Sequence, residues 1–318
     1  MVNEEETRYT PAMERKRIVI DTDCGVDDAI AIMICFASPE VEVLGITTVA
    51  GNVGLDHVVD NVLRLLTFTG RQRVPVYRGA SRPLVAAVKG AEDIHGANGF
   101  GNVIIPEARA RERAERAPQA LHALAQAHPG LTLLTLGPLT NVAMALSLYP
   151  DLPRFIGEIV AMGGAIETGN VTPRAEFNFY ADPEAVQIVL DTRIPLSLLT
   201  WDATLTCVHT EEELTAAGFG STASGRLFLD LQKIVFAYFE RMRGSRATML
   251  PDPLAAAYLV EPGIVRTARR MGLRMELAPG ELRGASVPDE AGAPVNVLLD
   301  VDKSAFMNVL SRIVALKR

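Results

Sequence analysis

Short apolar runs alternate along the chain with longer stretches of helical spacing. RIVID (17–21) has the length and β-branched character of a strand, and DDAIAIMICFA (27–37) follows with helical periodicity. VEVLGITTV (41–49) repeats the strand pattern, and LDHVVDNVLRLLTFTG (55–70) reads as a helix ended by Gly70. VPVY (74–77), LTLLTL (131–136), EIVAM (158–162) and PLSLL (195–199) are further apolar runs of strand length. Residues 210–250 look mostly helical, and the chain returns to strands at 271–277 and 295–301 before a helix over 302–316. Runs that are apolar throughout, rather than alternating, mark strands covered on both faces, as in a parallel sheet. Strand–helix alternation at this pitch predicts βαβ units. The expected fold is α/β and Rossmann-related, with an open, mostly parallel central sheet flanked by helices in a single domain over 17–318.

Composition narrows the partners. The 318 residues are 48% hydrophobic, enough to bury a sizeable core, while 25 Gly and 19 Pro exclude collagenous and disordered classes. Acidic residues outnumber Lys plus Arg by 38 to 31, which argues against nucleic acid or an anionic membrane as the main partner. Cys24, Cys35 and Cys207 have no short paired spacing, so neither a disulfide scaffold nor a thiolate zinc site is expected, and the compartment should be reducing. The segment MVNEEETRYTPAMERKR carries charges of both signs and no apolar core, unlike a signal or transit peptide, so residues 1–16 are expected to form a flexible leader. IAIMICFA (30–37) falls far short of the ~20 apolar residues of a spanning helix. A soluble, cytoplasmic protein is expected.

In open α/β sheets ligands bind beyond the carboxyl ends of the strands, so those positions carry the chemistry. After the first strand comes Asp21-Thr22-Asp23-Cys24-Gly25-Val26-Asp27-Asp28, four carboxylates without a Lys or Arg. Asp27 and Asp28 are accounted for as caps of the next helix, but Asp21 and Asp23 are not. Clustered like charges need a cation, and hard oxygens without His or Cys ligands point to Ca²⁺ or Mg²⁺. The loop lacks GxGxxG, and its carboxylates would repel a pyrophosphate. The other strand ends carry Asn52, then Gly137-Pro138-Leu139-Thr140-Asn141, then Gly163-Gly164 with Glu167, Asn170, Glu176 and Asn178. One such Asn is usually a turn residue, but several amides and carboxylates facing a metal suit a polyhydroxyl ligand such as a sugar. Asp252, in Pro251-Asp252-Pro253, reads by default as a helix cap.

The ordered set DTDCGVDD, TVAGN, EDIHGANG, LGPLTN, MGGA, GN…AEFNFYADPEA and DPLAAAY resembles the calcium-dependent nucleoside hydrolases, the inosine–uridine-preferring N-ribohydrolase family, from about residue 17 to 316. The resemblance implies a nucleoside-hydrolase-like fold and hydrolysis of the N-glycosidic bond of a nucleoside or related riboside. It implies Ca²⁺ held by Asp23, Asp28, Asp252 and the main-chain carbonyl of Leu136, with Asp23 also as the base for water. Asp27 and Asn178 match residues at the ribose 2′-hydroxyl, and Asn170 and Glu176 match those at the 5′-hydroxyl. Asn52 matches a residue near water and metal, His95 one beside the base pocket, and Met162 one packing on the sugar. A homodimer or homotetramer is implied as well. Anionic groups around the ribose suit an oxocarbenium-like state.

The chain departs from the pattern at Pro251, where members of the best-known type carry a His before the last metal Asp. Val235 and Phe239 fall about where some members have tyrosines, leaving Tyr238 and His209 as substitute proton donors. His57 and His122 fit helix surfaces, and His128 precedes a turn. Arg174 is expected to pair with Glu167 or Glu176. Two rival readings exist: a calcium-dependent riboside-binding protein with little turnover, motivated by Pro251, and a haloacid-dehalogenase-like phosphatase, which lacks the needed Thr or Ser because Gly25 stands there.

Overall fold

The computed structural model describes residues 15–316. The expected leader therefore lies outside the described residues, apart from Arg15 and Lys16, and Lys16 already opens the first strand. In chain order the elements are β1 (Lys16–Thr22), α1 (Val26–Ala37), β2 (Val41–Thr48), α2 (Leu55–Phe68), β3 (Val76–Arg78), α3 (Glu92–His95), α4 (Ala117–Ala127), β4 (Leu131–Thr135) and α5 (Thr140–Leu148). Then come β5 (Ile156–Met162), α6 (Phe177–Ala181), α7 (Pro183–Asp191), β6 (Leu196–Leu199), α8 (Trp201–Leu205), β7 (Val208–Thr210), α9 (Glu211–Ala216) and α10 (Ala223–Arg243). The chain closes with β8 (Ala247–Met249), α11 (Pro251–Val260), β9 (Val265–Met275), β10 (Ser286–Pro288), β11 (Pro294–Val301) and α12 (Lys303–Leu310).

Nine strands form one sheet in the order β10-β9-β11-β6-β5-β4-β1-β2-β3. From β11 to β3 every neighbouring pair is parallel, and β9 and β10 add an antiparallel edge. β7 and β8 form a separate antiparallel ribbon. The continuous apolar runs are explained by burial on both faces. Ile18 and Ile20 of β1 join a core with α1, α10 and α11, while Val19 faces the opposite core with α4, α5 and α7. β5 divides likewise, with Val160 and Met162 on the first face and Ile159 and Ala161 on the second. Alternation therefore sorts side chains between two apolar layers, and no polar period appears.

Three departures from the sequence expectation exceed two residues. β9 starts at Val265 rather than 271, because residues 266–270 are exposed and include Arg266, Arg269 and Arg270, which break the apolar run. The mostly helical 210–250 stretch is flanked by β7 and β8, three-residue strands too short to show a period. The last helix ends at Leu310 and passes into a 3₁₀ turn over Ser311–Ala315.

Candidate active site

The β1–α1 turn builds a carboxylate nest. Gly25 caps α1, and its N–H donates to Asp28 Oδ2 at 2.8 Å. Asp28 Oδ1 accepts from Thr22 Oγ1 at 2.5 Å, and its Oδ2 also accepts from Asn52 Nδ2 at 3.1 Å. The cap role thus falls to Asp28 at the third helical position, not to Asp27. Asp23 Oδ2 accepts the Asn52 N–H at 2.7 Å, while Asp23 Oδ1 is buried without a partner. Two glycines make room for this carboxylate: a Cβ at Gly51 would lie 2.1 Å from Asp23 Oδ2, and one at Gly137 2.8 Å from Oδ1. Asp21 faces down into the fold, where its Oδ1 accepts from Thr47 Oγ1 at 2.5 Å and Asn141 Nδ2 at 2.7 Å.

Asp252 arrives from the far end of the chain, in the first turn of α11. The helix is capped by Leu250 with Pro251 at its first position, so Asp252 is not the cap expected from the Asp-Pro sequence. Asp27, Asp28 and Asp252 bring carboxylate oxygens within 4.8 Å of one another. Burial pushes the Asp27 carboxyl up to about 7, with Asp28 beside it adding to the rise. Burial also raises Asp23, helped by Asp28, and Asp252, helped by Asp27, Asp28 and Asp23. Four carboxyls therefore share one desolvated space without a basic side chain among them. Asp23 Oδ1 and Asp27 Oδ1 both lack a partner there. Unpartnered hard oxygens in that number fit a divalent cation of the Ca²⁺ or Mg²⁺ type.

The remaining strand ends close a cavity of about 710 Å³ over this cluster. Asp27, Asn52, His95, Leu136, Met162, Asn170, Glu176, Asn178 and Asp252 all line it. Asp23 and Asp28 are fully buried just behind. Asn178 Nδ2 donates to the carbonyls of Leu136 at 2.6 Å and Met162 at 3.2 Å, tying the ends of β4 and β5 together. Glu176 caps α6, its carboxylate accepting from the Gly164, Asn178 and Phe179 N–H groups. Burial nevertheless pushes its carboxyl up to about 7. Asn170 Oδ1 accepts the Phe177 N–H at 2.8 Å and holds the loop over that side.

His95 Nδ1 accepts the Val26 N–H at 3.2 Å, so the ring hydrogen sits on Nε2. Asp27 Oδ1 lies 3.7 Å from the same Nδ1, but burial lowers the imidazole to about 4. The ring is therefore neutral at pH 7, and the pair is not an ion pair. The opposite wall is mostly apolar and comes from α8, α10 and β8: Trp201, Leu205, Val235, Phe239 and Met249, with Gln232, Tyr238, Arg243 and Pro251 beside them.

Two expectations are corrected. His209 is fully buried in β7 against Cys207 Sγ (3.4 Å) and the Phe306 ring, away from the cavity, so it is no substitute proton donor. Arg174 is exposed and, among the described residues, pairs with neither Glu167 nor Glu176, whose carboxylate is taken by backbone N–H groups. Trp201, Gln232 and Met249 are wall residues that sequence reading missed. The only available signal for Gln232 was its helical spacing with Val235 and Phe239. His57 is exposed on α2, and His122 stacks on Tyr149 at 4.0 Å while contacting Asp151.

The comparisons agree with this geometry. A family model described as inosine-uridine preferring nucleoside hydrolase matches residues 18–308. The chain is 33% identical to the pyrimidine-specific ribonucleoside hydrolase RihA of Shewanella woodyi over 93% of this chain and 96% of that protein. The plant nucleoside hydrolase PpNRh1 superposes with a TM-score of 0.90 at 30% identity, covering 95% of this chain and 100% of that one. A purine-preferring ribonucleoside hydrolase from Gardnerella vaginalis does so with a TM-score of 0.88 at 31% identity, covering 95% and 99%. The carboxylate nest at the β1–α1 turn, the strand-end amides around it and a match over nearly the whole chain make this protein a member of the inosine-uridine preferring nucleoside hydrolase family.

Proposed function

We propose that this glycosidase cleaves the N-glycosidic bond of a ribonucleoside to ribose and free base, with one Ca²⁺ per chain. The observation that carries the reading is the buried carboxylate nest with two unpartnered oxygens under a cavity of nucleoside size. Asp23, Asp28, Asp252 and the Leu136 carbonyl would hold the ion, with Asp27 close enough to Asp28 and Asp252 to share it. When bound, calcium supplies positive charge that keeps these carboxyls ionised and polarises a neighbouring water.

This chain's residues divide the remaining work. Asp23 is the base: one oxygen is fixed by the Asn52 N–H and the other is free to take a proton from water. Asp27 and Asn178 hold the ribose 2′-hydroxyl, and Asn170 and Glu176 the 5′-hydroxyl. Met162 packs under the ring. Their anionic character stabilises positive charge developing at the anomeric carbon. The planar base lies against the apolar wall, near the Nε2 hydrogen of His95. Pro251 stands in that wall without a proton to give.

A panel of purine and pyrimidine nucleosides, with calcium or with a chelator, tests the reading through release of reducing sugar. Calcium-dependent release from at least one nucleoside is the expected result. Thermal stabilisation by nucleosides without sugar release would instead identify a riboside-binding protein that keeps the site and has lost turnover.

A further inference from the structure

The segment between β5 and α6, residues 163–176, brings Thr168, Gly169, Asn170 and Val171 to the cavity. Its backbone N–H groups can be followed one by one. At the near end Gly164 donates to Glu176 Oε2 at 2.9 Å. Further on, Gly169 donates to the Pro173 carbonyl, and Asn170 and Val171 donate to that of Ala175. Arg174 and Ala175 donate to Thr172 Oγ1. The 169–175 turn is thus bonded to itself, and its hydrogen bonding to the rest of the fold runs through its two ends.

The near end rests on a residue that does not line the cavity. Asp202, in the first turn of α8, accepts the Ile166 N–H on Oδ2 at 2.7 Å. Its Oδ1 accepts the Glu167 and Thr168 N–H groups, both at 3.1 Å. An acid in a first helical turn ordinarily serves its own helix. Here Thr200 does that work: its Oγ1 accepts the Ala203 N–H at 3.3 Å and donates to the Leu298 carbonyl of β11 at 2.7 Å. Asp202 is left to grip a neighbouring segment from a helix already tied to the sheet. Trp201 beside it donates its N–H to the Gly164 carbonyl at 2.9 Å. Two residues beyond Thr168, Asn170 Oδ1 accepts the Phe177 N–H, which leaves the Nδ2 hydrogens for a ligand.

Resting on the ribohydrolase reading above, in which Asn170 and Glu176 meet the ribose 5′-hydroxyl, we propose that Asp202 is the positioning residue for that hydroxyl. Three successive N–H groups held by one carboxylate fix where Asn170 stands. Asp202 touches neither substrate nor ion and acts through the segment alone. The three N–H groups lie in a partly exposed place, so water can replace the carboxylate when it is removed. The fold then survives, and the loss falls on substrates that carry a 5′-hydroxyl.

The test measures sugar release from uridine and inosine, and from 5′-deoxyuridine and 5′-deoxyinosine, by the calcium-loaded wild type, Asp202→Ala and Asp202→Asn. Asp202→Ala is expected to lower kcat/KM for the parent nucleosides by about 10–100-fold, the worth of one lost hydrogen bond to a charged group. The 5′-deoxy substrates should change by less than about twofold, since residue and hydroxyl are then already uncoupled. Asp202→Asn keeps one acceptor oxygen and should lose less, with the same selectivity. Equal losses on parent and deoxy substrates, which a merely structural role would give, or no loss on either, would overturn the proposal while leaving the nucleoside hydrolase reading intact. Failure of the wild type to release sugar from any of the four would overturn that reading itself.

Discussion

At the scale of single residues, Asp23 and Asp28 differ in how much of each carboxylate the protein already uses. Asp28 spends both oxygens on Thr22, Gly25 and Asn52, whereas Asp23 keeps one free. Asp28→Ala is therefore expected to abolish bound calcium and activity together, as read by elemental analysis and sugar release. Asp23→Asn should remove turnover while the far-ultraviolet spectrum and unfolding cooperativity remain native, since an amide cannot accept the proton. A variant that kept most of its kcat would place the base elsewhere. Gly51 offers a sharper probe. Its missing Cβ leaves the space that Asp23 Oδ2 fills, so Gly51→Ala must push the carboxylate aside. Misplacement by about 1 Å costs on the order of 10²-fold, and kcat/KM should fall by that amount in a protein that still folds.

At the scale of elements, the ribbon β7–β8 and helix α10 set the far wall and the approach to α11. Gln232 Oε1 accepts from Thr248 Oγ1 at 2.6 Å, both side chains being fully buried, and Thr248 stands four residues before Asp252. Thr248→Val leaves a buried amide oxygen without its donor, which should cost about 1–3 kcal/mol of stability in urea unfolding. A loss near zero would mean that water reaches this pair. This region was also the least legible in the sequence. The strands β1, β2, β4, β5 and β6 announced themselves as continuous apolar runs because two cores cover them. The carboxylate turn was legible because four acids in eight residues, without a Lys or Arg among them, exceed what one helix cap uses. β7 and β8 are too short for a period, and the arginines of β9 mask a strand whose outer positions meet solvent. The wall residues Trp201, Gln232 and Met249 carry no local signal, since their role comes only from packing between distant segments. His209 misled because a histidine in a polar stretch says nothing about which way its strand faces.

At the scale of the molecule, the shifted carboxyls would couple the proposed calcium to pH and to stability. In the metal-free protein Asp21 and Asp27 titrate near 7, well above their usual range, chiefly because burial disfavours the charged form. Between about pH 4 and pH 7 the folded chain then holds protons that the unfolded chain has released, so metal-free stability falls as pH rises through that window. Calcium at the nest would need the ionised carboxylates and would stabilise the fold by mass action, about 2.7 kcal/mol at a hundredfold excess over Kd. The Tm difference between calcium-loaded and chelated protein should therefore widen steadily from pH 5 to pH 8. A difference independent of pH would show that Asp27 does not take part in holding the ion.

The distance in sequence between the nest's two sources also has a temporal meaning. Asp27 and Asp28 leave the ribosome early, but Asp252, which shares their oxygen cluster, follows only about 220 residues later. At ~5–20 residues per second that interval is on the order of 10–45 s. Throughout it the growing chain carries a run of aspartates with no partner from α11, and the proposed calcium would lack its full set of ligands. On the proposed ligand set, ion capture would be a late event that certifies an almost finished chain: a product truncated before Asp252 could complete most of the parallel sheet and still hold no metal.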